Sequence, residues 1–126
     1  MTKTYTILLL EDEPLILMDL EFAAEDLGCN VLSATTCEDA ISLMQQEGVA
    51  IDVAVLDVSL GGGQTCFPLA QELDRRGIPY ILHSGDLDRH NEHIRQLQAK
   101  LVAKPAAPES VIAAAIAQSQ PAASSH

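Results

Sequence analysis

Five residues carry side chains that would do chemistry if they met: the acid pair Glu11-Asp12, the acid Asp57, the hydroxyl of Ser84 and the ammonium of Lys104. Each stands where an apolar run ends. Thr6-Ile-Leu-Leu-Leu10 runs into Glu11, Val53 to Leu56 into Asp57, Ile78 to His83 into Ser84, and Leu101 to Ala103 into Lys104. A carboxylate at the end of a buried run costs several kcal/mol unless it is paired, hydrogen-bonded or metal-bound. Brought together, three carboxylates against one ammonium leave an excess of two negative charges, which one divalent cation would cancel. Hard oxygen donors, with room for water and a phosphate, suit Mg2+ or Mn2+. In that setting Asp57 is an oxygen nucleophile toward a phosphoryl group, with the cation, Lys104 and Ser84 on the transferred oxygens.

The elements that must position these groups alternate. Strands are expected at Thr6–Leu10, Asn30–Ala34, Val53–Leu56, Ile78–His83 and Leu101–Ala103. Between and after them come helices. The first runs to Leu27, with Pro14 in its opening turn, Gly28 as its stop, and apolar residues at helical spacing: Leu15, Met18, Phe22, and Leu20, Ala23, Ala24, Leu27. The second spans Thr36–Gln46, with Thr36 and Asp39 spaced as a capping box, and the third Phe67–Arg76, closed by Gly77. A polar fourth helix is expected from about Asp88 to Gln98 and an alanine-rich fifth from Glu109 to Ala117. The alternation implies βαβ units, a parallel sheet and right-handed crossovers with helices on both faces. Near-continuous apolar strands agree, because parallel strands are buried on both sides. The expected fold is a doubly wound α/β domain, flavodoxin-like, with a five-stranded parallel sheet in the order 2-1-3-4-5. Ligands of such sheets sit outside the carboxyl ends of the strands, where the five residues fall.

Composition narrows the function. The 126 residues favour one domain, placed at 1–118, with 119–126 as a disordered tail and no output domain. Two Tyr, two Phe and no Trp leave the core to aliphatic side chains. A net charge of −11 disfavours nucleic acid and anionic membranes as partners. No apolar run is long enough to span a bilayer. Cys29, Cys37 and Cys66 form no short-spaced pair, and no signal peptide is visible, which points to a reducing cytoplasm. Other features read as ordinary structure. Gly61-Gly-Gly63 lacks the Lys-Ser/Thr of a phosphate-binding loop and reads as a β–α connection. His90 and His93 lack further ligands, and His83 reads as a packed or hydrogen-bonded histidine.

The ordered set Glu11-Asp12, Asp57, Ser84 and Lys104-Pro105 resembles the receiver domain of two-component response regulators, over about residues 5 to 118. The resemblance implies phosphorylation of Asp57 by a histidine kinase or a histidine phosphotransfer protein, and a signal passed to a downstream protein target. It implies Mg2+ on Asp12, Asp57 and the backbone carbonyl of Ser59, with Glu11 helping through water. It also implies Ser84 and Lys104 on the phosphoryl oxygens, a cis Lys104-Pro105 bond, and signalling rather than turnover of a substrate. The chain departs from the pattern at Leu101, where an aromatic switch residue usually stands three positions before the lysine. Pro79-Tyr-Ile-Leu-His-Ser-Gly85 partly resembles a group of single-domain alphaproteobacterial regulators with Pro-Phe-x-Phe-Ala-Thr-Gly-Tyr; Asp86 replaces the final tyrosine. The readout is therefore expected in the Gly85-to-Asn91 segment. Three rival readings remain in view. A haloacid-dehalogenase-type phosphatase wants a second Asp where Ser59 stands; a degenerate, docking-only receiver would not keep the whole reactive set; a flavodoxin relative would want aromatic rings.

Overall fold

The computed structural model describes residues 4–46, 48–58, 60, 65–85 and 99–119. Five strands, β1 (Thr6–Leu10), β2 (Asn30–Ala34), β3 (Val53–Asp57), β4 (Tyr80–Ser84) and β5 (Lys100–Ala103), form one sheet in the order β2-β1-β3-β4-β5. Every neighbouring pair is parallel. Four helices accompany them among the described residues: α1 (Pro14–Asp26), α2 (Cys37–Gln45), α3 (Phe67–Arg76) and α4 (Pro108–Ser119). The helix expected at about 88–98, the glycines 61–63, Ser59, His90, His93 and residues 120–126 lie outside the described residues. None of the helices described is long and apolar enough to cross a membrane.

Strand pleating divides the core in two. Ile7 and Leu9 of β1, Val53 and Val55 of β3, and Ile81 of β4 meet Leu20, Ala23 and Ala24 of α1 and Val111, Ile112 and Ala115 of α4. Their alternates Leu8, Leu10, Ala54, Leu56, Tyr80 and Leu82 meet Ala40 and Met44 of α2 and Leu69, Ala70 and Leu73 of α3. Successive side chains on a strand point to opposite faces, so uninterrupted apolar strands supply both layers at once.

The helix ends follow local chemistry. The Thr36 hydroxyl accepts a hydrogen bond from the Asp39 backbone N–H at 3.1 Å, capping α2. Gly77 closes α3 in the left-handed region at φ 71°, and the Ile78 N–H returns to the Leu73 carbonyl at 2.9 Å, as a Schellman closure requires.

The two apolar stripes of α1 have different fates. Leu20, Ala23 and Ala24 are buried, whereas Leu15, Met18 and Phe22 are exposed; Leu27, placed with the buried stripe, is also exposed because it lies just past the end of α1. One helix presents a single face to a sheet, and stripes on nearly opposite sides of the wheel cannot both turn inward. Leu20→Ala should therefore lose about 2–5 kcal/mol of stability through a core cavity. Leu15→Ala should stay within about 0.5 kcal/mol. Urea unfolding of the two variants checks the orientation of α1.

Candidate functional site

Parallel strands that share a register deliver their carboxyl ends to one edge. Leu10 lies beside Leu56, and Asp57 beside His83, so Glu11, Asp57 and Ser84 emerge together. Ser84 pairs with Ala103, and the Lys104 N–H donates to the Ser84 carbonyl at 2.7 Å, which fixes the lysine backbone against the hydroxyl residue. The peptide bond from Lys104 to Pro105 is cis.

The Lys104 Nζ donates to Asp57 Oδ1 at 3.1 Å and lies 3.3 Å from Glu11 Oε1. The second contact is an ion pair without hydrogen-bond geometry, so Glu11 Oε1 is buried with no donor. The other oxygen, Oε2, accepts from the Glu13 N–H at 3.1 Å, at the start of α1. Glu11 thus serves the helix terminus as well as the charged cluster. Carboxylate oxygens of Glu11, Asp12 and Asp57 lie within 4.8 Å of one another. Glu11 and Asp57 are buried and Asp12 is half-buried. Ser84 is buried, and its hydroxyl donates to the Gly85 carbonyl at 3.4 Å.

The electrostatics follow. Burial first, and then the neighbouring Glu11, push the Asp57 carboxyl up to about 8, against the pull of Lys104. Burial works against the Lys104 ammonium, but Asp57 and Glu11 outweigh it and hold its pKa above the ordinary lysine value. The cluster has too much negative charge for one ammonium. Its donor set, three carboxylates with one buried oxygen unserved, fits a hard divalent cation.

The fold is a doubly wound α/β sheet of the flavodoxin-like order, with three acids, a hydroxyl residue and a lysine on its carboxyl edge. The model of the response regulator receiver domain matches residues 7–116, and the chain belongs to that family. Receiver domains generally bind Mg2+ at an acidic pocket, and they interact with histidine kinases or phosphotransfer proteins. The chain is 32% identical over 108 residues to the phyllosphere-induced regulator PhyR of Methylorubrum extorquens; the match covers 85% of this chain and 40% of that protein. The chain thus spans well under half of that curated relative. The solution structure of SdrG from Sphingomonas melonis Fr1 is 33% identical with a TM-score of 0.75, covering 94% of this chain and 98% of that one. A response regulator receiver protein from Sinorhizobium medicae WSM419 is 25% identical with a TM-score of 0.76, covering 93% and 95%.

The structure brings together Glu11, Asp12, Asp57 and Lys104, and it sets Ser84 on the same edge with its hydroxyl turned to the Gly85 carbonyl. Leu101 packs toward the α2–α3 side of the core. His83 is the surprise. It is packed, as its place in an apolar strand implied, but neither ring nitrogen has a hydrogen-bond partner among the described residues. The only sequence signal was a titratable ring inside an otherwise aliphatic strand end.

Burial, and secondarily the charge of Lys104, lower the His83 pKa to about 4. The unfolded chain takes up that proton near the ordinary value of 6.5, the folded chain only near 4. The unfolded state therefore binds more protons in this window, and the fold loses stability as pH falls through it. In His83→Leu this loss should be absent. The melting temperature of wild type relative to the variant should fall between about pH 7 and about pH 4.5.

Proposed function

We propose that this chain is a phosphoacceptor: it takes a phosphoryl group onto Asp57 from the phosphohistidine of a kinase or phosphotransfer protein. The observation that carries the reading is the buried Asp57 carboxylate held 3.1 Å from the Lys104 ammonium, beside two further acids. An Asp57 oxygen attacks phosphorus, the P–N bond to the donor imidazole breaks, and the imidazole leaves with the electron pair. Lys104 and the Ser84 hydroxyl meet the phosphoryl oxygens. Asp12, Asp57 and the Ser59 carbonyl would hold Mg2+, with Glu11 acting through water. The bound cation supplies charge neutralisation on the transferred oxygens. Transfer exchanges a single carboxylate charge for nearly two on the phosphoryl group, and Lys104 follows the new oxygens. Because Leu101 offers no ring to report that motion, the readout falls in the Gly85-to-Asn91 segment.

In this reading the receiver occupies about residues 1–118 and signals in the cytoplasm through protein contacts, without turning over a substrate. The complete acid, hydroxyl and lysine set supports an acceptor rather than a docking-only domain.

Asp57→Asn keeps the shape and removes the nucleophile. Incubated with acetyl phosphate or a phosphorylated kinase, the variant should carry no acid-stable, base-labile label. Labelling at the wild-type level would sink the assignment. Mg2+ should also raise the melting temperature of the unphosphorylated protein, by binding the native state and relieving carboxylate repulsion. The rise should be larger at about pH 8.5 than at about pH 6.5, because a carboxyl held near 8 must release its proton to bind the ion. It should shrink in Asp12→Ala, and equal rises in both proteins would place the cation elsewhere.

A further inference from the structure

Glu11 is 1% exposed, and its two carboxylate oxygens face different elements. Oε2 accepts the Glu13 N–H at 3.1 Å, at the start of α1. Oε1 lies 3.3 Å from the Lys104 Nζ and accepts no hydrogen bond from the described residues. A charge-assisted N–H···O bond is shorter, about 2.7–2.9 Å. The ammonium is instead drawn to Asp57 Oδ1, to which it donates at 3.1 Å. Lys104 is thus shared unequally between two acids, and a small movement of Nζ completes the contact to Glu11 or breaks it.

The start of α1 relies on the same carboxylate. Amide groups at a helix N-terminus have no partner within the helix and favour nearby negative charge. The N-cap residue Glu13 makes no side-chain capping bond, and the first turn of α1 carries no acid. Glu11 supplies both a hydrogen-bond acceptor and a charge. Its backbone is held, because the Glu11 N–H donates to the Ala34 carbonyl at 3.1 Å. The side chain is left to respond when the charge facing Oε1 changes.

We propose that Glu11 is a relay: it transmits the position of the Lys104 ammonium to the first turn of α1. A tighter ion pair fixes the carboxylate and protects the Glu13 N–H. Loss of the ammonium leaves a buried carboxylate without its countercharge, which favours rotation toward water and release of that N–H. The relay operates in the unphosphorylated chain and does not depend on Asp57 accepting phosphate. It ends beneath a surface: Leu15, two residues beyond Glu13, opens the exposed apolar stripe of α1.

The test is amide exchange, followed by NMR on the full chain without divalent cation. Lys104→Met should speed exchange of the Glu13 amide about ten-fold, near the worth of one hydrogen bond. Asp57→Asn, which frees Lys104 for Glu11, should slow it. The Asp39 amide, which donates to the Thr36 hydroxyl at the start of α2, should change in neither variant. In a Glu11→Gln background, Lys104→Met should no longer move the Glu13 amide, as a relay through that carboxylate requires. Asp57→Asn keeps the side-chain shape and decides the matter if the lysine variant does not fold. The proposal is overturned by a Glu13 amide that either substitution leaves unmoved or shifts in the opposite sense, by equal changes at Asp39, or by a Lys104→Met effect that survives Glu11→Gln.

Discussion

The central constraint is a shortage of positive charge in a buried place. Glu11, Asp12 and Asp57 share one small volume at the edge of the sheet, and Lys104 answers only part of their charge. In a low-dielectric setting, like charges this close repel far more strongly than they would in water. The fold holds them there because each is tied to a strand end or to a helix start, and those elements are anchored by apolar side chains on both faces. The energy of the core is thus used to maintain an unfavourable cluster. Such a cluster has a strong affinity for whatever supplies positive charge, and its ionisation is displaced from ordinary values.

Lys104 joins two environments. Toward the acids it is a hydrogen-bonded ammonium; on its other side it forms part of a cavity that His83 also lines. Its backbone N–H is held by the Ser84 carbonyl, so the hydroxyl residue and the lysine move as neighbours. Leu101 lies on the opposite side of the sheet and offers no aromatic ring of its own.

The surface of α1 shows a different balance. Leu15, Met18 and Phe22 stand in solvent, on a helix that carries Asp19, Glu21, Glu25 and Asp26 and no Lys or Arg. Acidic neighbours keep an apolar stripe of this kind hydrated and discourage contact between identical chains.

Much of the architecture was legible in the sequence because its signals are local and repeated. Apolar runs ending in polar residues marked the strands, and Pro14, Thr36 and Gly77 marked helix ends through their own backbone chemistry. Alternation of strand and helix then limited the topology to parallel crossovers. The reactive set was legible for the same reason: a parallel sheet sends every strand's carboxyl end to one edge, so residues far apart in sequence had to meet there. Which stripe of α1 would be buried was not legible, because both have helical spacing and only docking against β1 and β3 chose Leu20, Ala23 and Ala24. Nor did the sequence reveal that Glu11 turns one oxygen to the start of α1 and leaves the other without a donor, or that His83 borders a cavity with both nitrogens unserved. Hydrogen-bond satisfaction and empty volume depend on atoms contributed by several elements at once. The order of residues sends these groups to the edge of the sheet; packing among several elements selects which of them find partners there.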